Sequence, residues 1–185
     1  MDHHADLEFI SLLESCKERK RPAQKLLYQK YYRYGMGICM RYLDSEDEAI
    51  LCFNDAFLKV FNNLDKFDTN KDFKPWFKTI LINTILNYFK RNKKKAYFEQ
   101  LRCNLYGDQT PLINSLLNYK DILKSIQSLS LAYRTVFNLY VMDGFNHQEI
   151  SSMLNISEST SRSNLTRAKI KLREILTSDT YSYNE

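Results

Sequence analysis

Apolar residues recur at intervals of three and four along most of this 185-residue chain, the spacing of amphipathic helices. Residues 7–20 carry Leu, Phe and Ile and then a charged end, which predicts a short first helix. Pro22 opens a second, where Ala23, Leu26, Leu27, Tyr31, Tyr34, Ile38 and Tyr42 keep the period past Gly35 and Gly37. Proline suits a first helical turn because its missing N–H has no partner there. The acidic run Asp44 to Glu48 marks a break and a new helix start, since carboxylates favour the positive end of a helix dipole. A third pattern follows from Ala49 to Leu64. Phe67 to Lys74 reads as a polar connection, and Pro75 opens a fourth helix with Phe77, Ile80, Leu81, Thr84, Ile85 and Tyr88 on one arc. Residues 97–115 lose the period and read as a linker. Four more helical patterns follow, near 116–128, 130–142, 146–154 and 158–176, before a polar tail at 177–185 that is expected to fray.

The expected fold is therefore all-α, with two small helical domains at 8–96 and 116–178 joined by a flexible linker, the second a four-helix domain. Only 4 Gly and 3 Pro punctuate the chain, which disfavours turn-rich β folds and glycine-lined nucleotide sites. Cys16, Cys39, Cys52 and Cys103 form no CxxC pair, and the three histidines complete no zinc set, so buried thiols in a reducing cytosol are expected. The sequence reads without a signal peptide or a long apolar stretch, so a cytoplasmic protein is expected. The sequence calls for no cofactor and no metal. It has no GxxxxGK loop, its acidic run lacks the glycine and spacing of a calcium loop, and no partners for a catalytic histidine can be proposed around His147.

The net charge of +5 is too small to name a partner, but its distribution is informative. Within residues 88–102, Lys90, Arg91, Lys93, Lys94, Lys95 and Arg102 face only Glu99. This cluster alone accounts for the excess of the whole chain. A second basic stretch holds Arg162, Arg167, Lys169, Lys171 and Arg173 against Glu174.

That second stretch lies in a local grammar of its own. Asn146 can cap a short helix, with Glu149 closing a capping box. Ile150, Met153 and Leu154 give the helix an apolar face, Asn155 tolerates the left-handed turn that follows, Ile156 plugs the angle, and Ser157 caps the next helix. A short helix, a tight turn and a longer helix make a helix-turn-helix. With Leu165 at the centre of the buried face, Ser161, Ala168, Leu172 and Leu176 lie beside it. Ser159, Thr160, Ser163, Thr166 and Arg167 then point outward, and Arg162 and Asn164 lie on the flanks. Hydroxyls and guanidinium groups of this kind reach base edges and phosphates, so this end is expected to bind DNA.

In the helix opened by Pro75, Trp76, Asn83 and Asn87 share one flank, with Lys90 nearby. A ring to stack on bases, amides to read their edges and a following lysine run suit unpaired nucleic acid.

The residues now in hand resemble a known family. PAQKLLYQKYY at 22–32, FNDAFLKVFNNLDKF at 53–67, FKPWFKTILINTILNYFKR at 73–91 and the block at 133–176 together resemble sigma factors of the extracytoplasmic-function (ECF) type, within the sigma-70 family. The tyrosine- and lysine-rich style is similar to members from the Bacteroidetes group. The resemblance implies that residues 8–96 form the region 2 domain, which binds the polymerase clamp and the −10 promoter element, and that 116–178 form the region 4 domain, which binds the −35 element. It puts Asn54 and Asp55 on the polymerase-docking helix, with Phe57, Val60 and Phe61 supporting that helix from inside. Trp76, Asn83, Asn87, Tyr88 and Arg91 match the −10-reading and strand-opening helix, beside Lys90. Ser159, Thr160, Arg162, Ser163 and Arg167 match the −35 recognition helix. Lys93, Lys94, Lys95, Lys169 and Lys171 are the expected phosphate contacts.

Four positions depart from the family pattern: Leu51 stands where many members have aspartate, Ser130 where proline is common, Asn155 where glycine is usual, and Ser161 where valine is typical. Ser161 is expected to leave a small hydroxyl or a modest gap beneath its helix. The implied role is a non-catalytic promoter-specificity subunit that directs transcription initiation. Its partners would be core RNA polymerase and promoter DNA, double-stranded at −35 and partly single-stranded at −10, with an anti-sigma factor as a further candidate. The alternative is a free-standing DNA-binding regulator that recruits polymerase. A small recombinase would need a nucleophile or metal pair that the sequence does not offer.

Overall fold

The computed structural model describes residues 3–92 and 119–181. Among them every regular element is helical: α1 His3–Lys17, α2 Arg21–Tyr42, α3 Glu46–Asn63, α4 Phe73–Asn92, α5 Tyr119–Gln127, α6 Leu131–Phe137, α7 His147–Leu154 and α8 Glu158–Tyr181. A 3-10 turn, Leu64–Lys66, follows α3, and a π turn, Asn138–Met142, follows α6. Two compact units result, residues 1–40 with 45–87 and residues 41–44 with 88–185, so the all-α, two-unit architecture holds. The expected linker, Lys93 to Lys95 and Cys103 lie outside the described residues.

The first unit is organised by aromatic rings. Phe53, Phe57 and Phe77 are fully buried and meet one another at centroid distances of 4.9 to 6.2 Å. Tyr28 and Tyr32 of α2 close on Phe53 from one side, and Phe73 joins Phe9, Tyr31, Phe67 and Trp76 on the other. Edge-on and tilted geometries dominate, as the ring quadrupoles prefer. Gly35 makes this possible. A Cβ there would lie 2.3 Å from the Phe53 ring, so α2 reaches the ring only because the side chain is absent. The glycine that looked like a blemish in a helical pattern is a close-approach point.

Ser45 caps α3 by accepting from the Glu48 amide, with Glu46, Asp47 and Glu48 in the first turn, as the acidic run predicts. Helix α4 begins at Phe73, ahead of the expected start at Pro75. Burial of the Phe73 ring draws the chain into helix early. Pro75 then occupies the third position, where a missing N–H still leaves no bond broken. The buried positions of α4 are Phe73, Phe77, Leu81, Ile82, Thr84, Ile85, Leu86 and Phe89. This arc is wider than expected and turned toward Ile82 and Leu86, leaving Ile80 and Tyr88 only half-buried. A helix enclosed on more than one side buries more than an amphipathic stripe. Cys16, Cys39 and Cys52 are buried free thiols. Burial pushes the Cys52 thiol up to about 12 and raises Cys39 further, so both are inert at neutral pH.

The second unit owes its shape to caps. Ser130 caps α6 by accepting from the Tyr133 amide. Asn146 accepts from the Glu149 amide at 2.9 Å while the Glu149 carboxylate accepts from the Asn146 amide at 2.7 Å, a complete capping box on α7. Asn155 ends α7 at φ 54°, ψ 50°, the left-handed turn its chemistry permits. Ser157 accepts from the Thr160 amide at 3.0 Å and starts α8. Ile126, Leu129, Ala168 and Leu172 form a core cluster, with Tyr133 and Phe137 packed against it. Helix α8 continues to Tyr181, past the expected end at residue 176. No glycine or proline stops it, and the Thr177 hydroxyl donates back to the Arg173 carbonyl at 2.8 Å.

Candidate nucleic-acid interface

Helix α8 presents two faces. Ser161, Asn164, Leu165, Ala168, Leu172 and Ile175 are buried, at spacings of three and four. Ser159, Arg162, Thr166, Lys169 and Arg173 are exposed, and Thr160, Ser163, Arg167 and Lys171 are half-buried. Asn164 therefore faces inward and not along a flank. The buried strip leans toward it because α8 packs on α5, α6 and α7 together. Arg167 also departs from the outward set, since its Nη1 donates to the Tyr133 hydroxyl at 3.5 Å. Arg162 stays outside, held by Glu158 at 3.0 Å in an exposed i,i+4 pair. The Ser157 hydroxyl lies 2.8 Å from both the Ser159 and Thr160 hydroxyls, so three small groups gather at the helix start. Ser163 donates to the Thr160 carbonyl at 3.0 Å. Lys171 pairs with Glu174 at 3.7 Å, whereas Lys169 lies on the open face. The result is an exposed ridge of small polar and basic groups, with Ile170 half exposed among them and three hydroxyls gathered at its start.

Ser161 is wholly buried and its hydroxyl has a partner. Its hydroxyl lies 2.9 Å from Nδ1 of His147, across the angle of the helix-turn-helix. Burial holds the His147 ring below its ordinary pKa, aided by Arg162 and Lys169 and opposed by Glu158.

In the first unit the aromatic-amide flank of α4 is concave. Trp76, Ile80, Asn83, Thr84 and Asn87 line one wall of a groove of about 350 Å³, and Lys59, Asn63 and Lys66 line the other. Asn83 and Asn87 are exposed and Trp76 is half-buried, its ring 4.9 Å from Phe67 and 5.5 Å from Phe73. The tryptophan thus serves the core and the groove at once. The volume lies at the small end of the ~300–1,000 Å³ typical of ligand clefts. Lys59 Nζ donates to Thr84 Oγ1 and to Asp55 Oδ2, both at 3.0 Å, and Lys66 Nζ donates to Asn63 Oδ1 at 3.1 Å. Lys59, Asn63 and Lys66 were not among the sequence candidates. Their i,i+4 and i,i+3 spacings read as ordinary surface pairs, and only packing of α3 on α4 brings them to Trp76. Lys90 is half-buried and Arg91 exposed on the last turns of α4.

On the outer side of α3, Leu51 and Leu58 are each 61% exposed and bracket Asn54 and Asp55. Asn54 Oδ1 accepts from the Tyr28 hydroxyl at 2.9 Å, which fixes its amide in place. Phe57 and Val60 are buried beneath this face and Phe61 is half-buried, as the family resemblance implies.

Two sequence profiles match the chain. The profile for Sigma-70 region 2 matches residues 27–95, and that for Sigma-70, region 4 matches residues 119–172. The chain belongs to the ECF-type sigma-70 family. Among its relatives, the ECF RNA polymerase sigma factor SigM of Bacillus subtilis is 25% identical over 155 residues, covering 80% of this chain and 92% of that one. The ECF RNA polymerase sigma-E factor of Escherichia coli K12 is 22% identical over 171 residues, covering 85% and 88%. Among solved structures, the sigma factor RpoE from Bartonella quintana, crystallised with the anti-sigma factor NepR, has the same fold. Its TM-score is 0.51 at 18% identity, over 96% of this chain and 99% of that one. Sigma factors bind core RNA polymerase and promoter DNA, and they regulate transcription initiation without themselves being catalysts. The helix-turn-helix is this sigma factor's DNA-binding element. Among the described residues no helix is long and apolar enough to cross a membrane.

Proposed function

We propose that this sigma factor reads a two-part promoter with two unlike surfaces. Helix α8 enters the major groove of duplex DNA at −35, where Ser159, Thr160, Arg162 and Ser163 meet bases or adjacent phosphates and Arg167, Lys169 and Lys171 meet phosphates. The groove of α4 takes unstacked bases of the −10 strand, with Trp76 as platform, Asn83 and Asn87 as readers, and Lys90, Arg91 and the run Lys93 to Lys95 along the backbone. By capturing those bases it helps to open the strand. The outer face of α3, with Asn54 and Asp55 between Leu51 and Leu58, docks on the core polymerase, which performs the synthesis in the cytoplasm. The domain limits are 8–96 and 116–178, with 97–115 as linker. An anti-sigma factor, such as the one in the Bartonella quintana complex, is a further partner, and the tyrosine- and lysine-rich composition supports a Bacteroidetes-type member.

One observation carries the reading. The exposed amides of α4 line a concave, cationic, aromatic-backed groove, a surface that a plain DNA-binding regulator has no use for. The test is transcription by purified core polymerase with this chain on randomised promoter DNA, with start sites mapped by sequencing. Specific initiation with paired upstream elements is expected. Stimulation only of polymerase already carrying another sigma factor would establish the regulator instead.

A further inference from the structure

The angle of the helix-turn-helix is closed by a polar joint. His147 is the first residue of α7, directly after the Asn146 cap. Its ring lies nearly parallel to that of Tyr140, at 4.5 Å and 25°, and Tyr140 belongs to the π turn that follows α6. Its Nδ1 meets the Ser161 hydroxyl at 2.9 Å, and Ser161 is wholly buried on α8. One imidazole therefore joins the π turn, α7 and α8. An apolar side chain at position 161 would hold the two helices together without preferring a direction. A hydrogen bond imposes distance and angle together, and an unmet buried hydroxyl is costly.

We propose that His147 is a positioning residue for DNA reading, setting the tilt of α8 on α7 through its hydrogen bond to Ser161, with Tyr140 as its backing. Ser161 is the neighbour of Arg162 and lies two positions from both Ser159 and Ser163, so a tilt at this point moves the tip that meets DNA. The inference rests on the reading of α8 as the −35 helix. The charged groups that act on the ring are Arg162, Glu158 and Lys169, all of α8. The joint thus shares its electrostatics with the DNA-facing side of the same helix.

The test uses the full chain with core polymerase, in competition binding between an intact and a mutated −35 duplex. Ser161→Val fills the site but removes the hydroxyl, and His147→Phe keeps the stacking but removes the nitrogen. Each should keep its helical circular dichroism and lower promoter affinity by roughly two- to tenfold, the size of one lost hydrogen bond. Ser161→Thr retains the hydroxyl and should bind like the natural chain. The double variant should be no weaker than either single one, because both remove the same bond. In the free chain, Ser161→Val should move the pH titration of the His147 ring signals in NMR spectra. Losses that multiply in the double variant, or promoter affinity unchanged by Ser161→Val whether or not the titration moves, would overturn the proposal. A natural-sequence complex with no preference for any upstream duplex would instead overturn the reading of α8, and the inference with it.

Discussion

Helices α4 and α8 are both proposed to meet nucleic acid, and they are built in opposite ways. Helix α4 buries a wide arc among aromatic rings and shows its remaining flank inside a groove that α3 completes. Helix α8 buries a narrow strip and stands out as a ridge. A ridge of small polar groups suits the major groove of an intact duplex, which admits a helix. A pocket with a ring on its wall suits a base already out of its stack. On the proposed reading, basic charge alone does not state which form of DNA a surface takes. The shape of the surface that carries the charge is what the proposal turns on.

The largest expected effect separates the two by stability. Phe77→Ala removes a ring from the centre of the first unit and should cost about 3–5 kcal/mol there. Denaturant unfolding should show the aromatic unit melting early while the helix-turn-helix keeps its own transition. Next, Trp76→Ala should remove a stacking platform worth about 1–3 kcal/mol per base. Strand opening at −10, followed by permanganate reactivity of thymines, should fall steeply while upstream duplex binding persists. An equal loss of both would break the division of labour between α4 and α8.

Within α8 the comparison can be sharpened further. Arg162 is exposed and Arg167 is tied toward Tyr133, so Arg162→Ala should narrow discrimination among −35 base changes by about 1–3 kcal/mol. Arg167→Ala should weaken good and bad sites alike. Relaxed base preference in the Arg167 variant would reverse the placement of the helix in the groove. The smallest effect is expected from neutralising Lys93, Lys94 and Lys95. Each lost phosphate contact should lower the salt slope of binding by roughly 0.7–0.9, evenly across promoters, and an unchanged slope would mean that these lysines only meet solvent.

What could be read from the sequence follows from how local its cause is. The caps at Asn146 and Ser157 and the left-handed Asn155 depend on neighbours within a few residues, and each stands where the sequence puts it. The phase of α4 was half legible. The Trp76, Asn83 and Asn87 flank came out correctly, but the arc itself turned, because a single helical period cannot say how many neighbours enclose it. Asn164 and Arg167 turned inward for the same reason. Lys59 in the groove and Ser161 on His147 were not legible. Each depends on a pairing across helices, 25 residues apart for Lys59 with Thr84 and 14 for His147 with Ser161. Gly35 shows the opposite failure: its value lies in an atom it lacks, and a pattern of side chains cannot register that.

The π turn at Asn138–Met142 has a consequence best stated as arithmetic on chain length. A π turn holds one residue more than the α-helical turn it replaces. Each residue of an α-helix advances the chain by about 100°, or 3.6 residues per turn. Removing one residue here would restore plain helix and swing Tyr140 about that far from the His147 ring.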